Sequence, residues 1–135
     1  MGEEVKALSV KQPWARLFFV EPFKPVENRG RRWSHRGPLV IHASQGWDKA
    51  GALYLREHMR VFVPPKKDHV FGALLGRVVM VDCVQSHPSR FFFGPWGYVF
   101  EDPKAFTEPV PWKGAQHPFE VPDEVVEKAL KGEAS

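Results

Sequence analysis

Lys24, Glu27 and Arg29, within the stretch KPVENRGRRW (24–33), have the types and spacing to do chemistry together. On a strand, residues two apart share a face, so Glu27 and Arg29 point the same way. Lys24, at the strand's entry, reaches that face from the preceding loop. A carboxylate between an ammonium and a guanidinium has two uses. It orients Arg29 toward a phosphate or a base edge. It also tunes Lys24, whose pKa falls toward general-base range with burial or a nearby guanidinium, while Glu27 opposes that fall. The plainer alternative is a surface ion-pair row worth about 0–1 kcal/mol. Pro25, with its fixed φ, stiffens the loop beside Lys24 and tilts the balance toward a built site.

The charge distribution points the same way. The chain carries a formal net charge of +3 over 135 residues, which permits an anionic partner without demanding one. Bases gather at 24–36 and acids at 120–133. Such asymmetry favours a localised anion-binding surface, with Arg31, Arg32 and Arg36 as a phosphate track beside the central trio.

A second candidate surface is SVKQPWA, with Ser9, Lys11, Gln12 and Trp14. Free N–H groups at a helix start favour anions, Gln12 can donate and accept at a base edge, and Trp14 offers a stacking face. The competing reading makes Trp14 a core residue. His42 and Ser44 end the apolar run PLVIHAS. For His42, a core histidine satisfied by backbone and a ligand contact stand as equal alternatives. Trp96 is a rim candidate for base stacking, although Trp96, Tyr98 and Phe100 share a strand face that would pack a core.

Other constellations carry less. Six histidines include no helix-spaced pair, and Cys83 with His87 would need further ligands for zinc, so neither a metal nor a cofactor is expected. Cys83 is the only cysteine; within an apolar strand it reads as a buried, inert thiol. The run Gly94-Pro95-Trp96-Gly97 lacks the spacing and lysine of a phosphate-cradling loop.

The elements that must position these groups are short. Residues 5–10 read as a strand, and Pro13 as the opening of a brief amphipathic helix with Trp14, Leu17 and Phe18 on one face, ended by Pro22. Residues 25–29 form a strand turning at Gly30, and 38–44 a buried strand. Ser44 is positioned to cap a helix over about 46–60, with Asp48 in its first turn. Residues 70–84 give the longest strand signal, their glycines marking bulges. Two more strands fall at 94–100 and 106–112, and a helix runs from about 122 to 131 with Asp123 and Glu124 at its positive end. Composition is that of an ordinary globule, with 43% apolar and 26% charged residues, and the length suits one domain over 1–135. No apolar run approaches the ~20 residues of a bilayer span, and residues 1–10 lack a signal-peptide pattern. The expectation is a cytoplasmic α+β domain built around a small β-barrel with flanking helices.

Taken together, ALSVKQPWA, the K-x-x-E-N-R run from Lys24 to Arg29, and RGPLVIHAS closely resemble the ASCH (activating signal cointegrator homology) domain family. GALLGRVVMVDCV, FGPWGYVF and PVPWKG extend the resemblance more loosely over nearly the whole chain. It implies a PUA-like β-barrel and a cleft lined by the segment after the first strand, the K-x-x-E-x-R strand and the end of IHAS. It also implies RNA, or a nucleotide or nucleoside, as partner. One branch of the family hydrolyses the amide of N4-acetylcytidine, and some members have been assigned ribonuclease activity. The resemblance therefore implies an alternative, hydrolysis with Lys24 as base, Glu27 as its orienter and Arg29 stabilising negative charge. The chain departs from the family in two places. Phe23 stands where many members have glycine, and Glu27 stands where the amidohydrolase branch has threonine.

Overall fold

The protein is described here by a computed structural model covering residues 2–132. Six strands and two α-helices follow in chain order: β1 (Glu4–Gln12), β2 (Val26–Arg29), β3 (Gly37–Trp47), α1 (Lys49–Glu57), β4 (Ala73–Val84), β5 (Trp96–Pro111), β6 (Phe119–Pro122) and α2 (Asp123–Lys131). All six strands belong to one mixed sheet in the order β2-β5-β4-β3-β1-β6. Only β1 and β3 run parallel; the other neighbouring pairs are antiparallel. The fold is thus α+β and mostly sheet. Its end strands β2 and β6 are not neighbours in that order, so backbone hydrogen bonds do not close the sheet into the expected barrel.

Alternation along the central strands sorts side chains onto two faces. Leu8 and Val10 of β1, Leu39 and Ile41 of β3, and Val78 and Met80 of β4 enter one core with Phe18, Tyr98 and Phe100. Ala7, Val40 and Leu74 face the other way and pack against Val126 and Ala129 of α2. That helix has Asp123 and Glu124 in its first turn, and Gly132 ends it at φ 76°, as its sequence requires.

Several expectations are corrected. Pro13 opens no α-helix: Gln12 still belongs to β1, and only a 3-10 turn forms at Ala15–Phe18. Ser44 does not cap α1 but lies within β3; Asp48 is the cap, its Oδ1 accepting from the Gly51 N–H at 2.8 Å. The two strands expected at 94–100 and 106–112 are one, β5. Asp102 at φ 52° and register shifts against β4 let that strand bend past Pro103. Cys83 is half-buried rather than enclosed.

Candidate functional site

The site lies in a seam between β1 and β2. β6 pairs with β1 only from Glu4 to Ala7, so beyond Ala7 that edge of β1 has no β6 partner. Three strands separate β1 from β2 in the sheet order, yet Arg29 Nη2 donates to the Ser9 carbonyl at 2.7 Å. The sheet therefore curls until its β2 edge faces the open stretch of β1, and a side chain bridges the remaining gap. A cavity of about 730 Å3 occupies this seam. It is walled by Ser9, Val10 and Lys11 from β1, Glu27 to Gly30 from β2 and its turn, His42, Ser44 and Gln45 from β3, and Trp112 to Gln116 after β5.

Glu27 organises the charge. Its Oε1 accepts from Lys24 Nζ at 2.8 Å and its Oε2 from Arg29 Nε at 3.0 Å. All three side chains expected to converge do so, but not in one environment. Lys24 is only 3% exposed, its ammonium 4.5 Å from the Phe18 ring centre and 5.4 Å from that of Trp14. Burial pushes its pKa below the usual lysine value, Glu27 pulls it back up, and Arg29 adds a smaller downward push. Lys24 borders an adjoining hollow of about 220 Å3 with Phe93, which shares Trp14, Glu27 and Asn28 with the seam cavity, but it does not itself line that cavity. Arg29 does border the seam cavity. With Nε on Glu27 and Nη2 on Ser9, its Nη1 makes no hydrogen bond among the described residues. This is a guanidinium held from behind with one face available for an anion.

Ser9 and His42 are register partners on the parallel strands β1 and β3. Their side chains therefore share a face, and Ser9 Oγ lies 2.9 Å from His42 Nδ1. His42 Nε2 lies 2.7 Å from the Trp112 carbonyl oxygen, which can only accept. His42 is buried and backbone-anchored, as a core histidine would be, and it also borders the cavity.

Other candidates divide. Trp14, Lys11 and Ser44 line the cavity. Trp14 is anchored by its indole N–H to Asp48 Oδ2 at 2.8 Å. Gln12 is buried and spends its amide internally, donating to the Val70 carbonyl and accepting from the Arg16 N–H. Arg31, Arg32 and Arg36 are exposed and lie outside the cavity wall. Arg36 is turned onto the Trp33 and His35 carbonyls and sits 3.8 Å from Asp82. Trp96 is half-buried opposite Arg29 in the β2–β5 ladder and does not border the cavity.

Sequence reasoning missed the wall from Trp112 to Gln116. Within it Gly114 meets a packing demand that only the fold reveals: a methyl group there would lie 2.6 Å from Ser9 Oγ and overlap the His42 ring, so only glycine fits. Asn28 was also passed over. It is a structural clamp, donating to the Phe91 carbonyl and accepting from the N–H groups of Phe93 and Gly94. Among the described residues no cluster of three or more histidine, cysteine or acidic side chains could hold a metal. None of their helices is long and apolar enough to cross a membrane. No protein-family model matches the chain, and no curated protein matches it significantly.

Proposed function

We propose that this chain is an ASCH-type domain of PUA-like architecture that binds RNA, or a nucleotide or nucleoside derived from it, in the β1–β2 seam. The observation that carries this reading is Arg29, fixed by a buried carboxylate on one side and a backbone carbonyl on the other, facing a nucleotide-sized cavity. A planar guanidinium held in this way suits a phosphate, whose oxygens accept parallel N–H bonds. Trp14 on the same wall is a surface for a base, and the exposed Lys11 and Lys113 add positive potential at the rim. The curl that brings β2 against β1 supports a PUA-like barrel whose last gap is spanned by a side chain. Arg31 and Arg32 would meet a polymer's backbone outside the cavity.

Binding is better supported than general-base catalysis by Lys24. Burial does lower the Lys24 pKa, but its Nζ is held on Glu27 and borders the smaller hollow. The test is fluorescence anisotropy with short single-stranded RNA over a salt series. Wild type should bind with affinity that falls as salt rises, and Arg29→Ala should weaken binding about ten- to hundredfold. Salt-independent binding, or an unchanged affinity in the variant, would refute the proposal.

A further inference from the structure

We infer that Ser9 and His42 form a nucleophile–base pair, making the seam cavity a candidate hydrolytic site for acyl esters and acyl phosphates. The argument begins with the histidine tautomer. Because the Trp112 carbonyl can only accept, His42 Nε2 carries the proton that meets it at 2.7 Å. In the neutral ring Nδ1 is then a bare lone pair, and the 2.9 Å contact is a hydrogen bond from the Ser9 hydroxyl to it. A hydroxyl donating to an imidazole whose far nitrogen is locked by a third group is the arrangement that activates serine.

The surroundings fit the chemistry. His42 is 2% exposed, so the base is shielded from bulk water, and both Ser9 and His42 border the cavity. The register pairing of Ser9 with His42 puts both on adjacent rigid strands rather than on loops. Gly114 packs its main chain against both side chains, where any larger residue would push them apart. Arg29, bonded to the Ser9 carbonyl, brings positive charge to the same wall, both for a substrate phosphate and for the oxyanion of the attacked carbonyl.

The step balances without a further reagent. Ser9 Oγ forms a bond to the acyl carbon as its proton passes to His42 Nδ1. The carbon–oxygen bond to the leaving group breaks, and His42 returns the proton to the departing oxygen. Water then gives a proton to His42 Nδ1 as its oxygen bonds to the acyl carbon; the bond from that carbon to Ser9 Oγ breaks, His42 returns the proton to Oγ, and the carboxylic acid is released. This pair is independent of Lys24, and its activity does not require the ligand to be RNA.

Intact-mass and peptide-mass analysis after treatment with a fluorophosphonate tests the nucleophile directly: the Ser9 oxygen displaces fluoride and keeps the phosphonyl group. One adduct per chain, located on Ser9 and absent from Ser9→Ala, is expected. His42→Gln should slow labelling about a hundredfold or more. Release of phosphate from acetyl phosphate should be lost in Ser9→Ala, which deletes one oxygen and keeps the fold by circular dichroism. An unlabelled wild type, an adduct elsewhere, or equal hydrolysis by Ser9→Ala would overturn the inference. RNA binding is read separately by anisotropy, so a failure of that binding leaves these outcomes distinguishable.

Discussion

Glu27 holds a cation on each oxygen, and the two ends of the carboxylate differ in what else surrounds them. At one end Lys24 is packed between Trp14 and Phe18 with its ammonium spent on Oε1. At the other, Arg29 emerges half-exposed into the seam with part of its guanidinium unengaged. The two pairs have similar lengths, 2.8 and 3.0 Å. Pair distance therefore says nothing about role; burial and residual hydrogen-bonding capacity do. The lysine end anchors the carboxylate, and the carboxylate aims the arginine.

The largest effect should come from removing the shared partner. Glu27→Ala leaves a buried ammonium uncompensated and should cost about 3–5 kcal/mol in urea unfolding. Lys24→Met should cost clearly less, because Glu27 keeps Arg29 and the apolar side chain suits the Phe18 cage. Equal losses in the two variants would break the distinction between anchor and aimed group.

The anchor end should also carry a pH signature. Lys24 has a folded pKa below its ordinary 10.5. Between the two values the unfolded chain binds more protons, so stability rises with pH there. This contribution is fully present above 10.5 and is lost as pH falls through the lowered folded value. Tyr98 acts in the opposite sense above its ordinary 10.0, because burial raises its folded pKa. The difference in stability between wild type and Lys24→Met, followed by chemical denaturation across the alkaline range, isolates the contribution of the lysine. It should shift in favour of wild type as pH rises; a flat difference would show that Lys24 is not held at a depressed pKa.

The smallest effect should belong to the exposed arginines. Arg31→Ala and Arg32→Ala should each lower the slope of log affinity for RNA against log salt by about 1, and leave binding of a mononucleotide unchanged. Loss of mononucleotide binding in either variant would move the site out of the seam and onto the basic run.

Much of this contrast could be read from residue order. The two-residue spacing of Glu27 and Arg29 set them on one strand face, and the apolar run through His42 and Ser44 marked the body of β3, which continues three residues further to Trp47. The separation of Lys24 from Arg29 could not be read, because it depends on which rings close over the ammonium. β6 was invisible for a related reason. The four residues Phe119–Pro122 carry little periodicity, and they become a strand by pairing with the edge of β1. β5 looked broken at Asp102-Pro103, where charge and proline imitate a turn; bulges against β4 carry the strand through. The wall from Trp112 to Gln116 depends on the sheet's curl, a tertiary property with no local signature. Gln12 looked available for a ligand until its two internal partners, Val70 and Arg16, came from elsewhere in the fold.

The most direct measurement compares a nucleoside 5′-monophosphate with its parent nucleoside by isothermal titration calorimetry, in wild type and in Arg29→Ala. If Arg29 is the phosphate-reading group of the seam, wild type binds the monophosphate more tightly by about tenfold or more, and the variant loses that preference while still folding. Equal affinity for the two ligands in wild type, or a preference that survives in Arg29→Ala, would contradict the account.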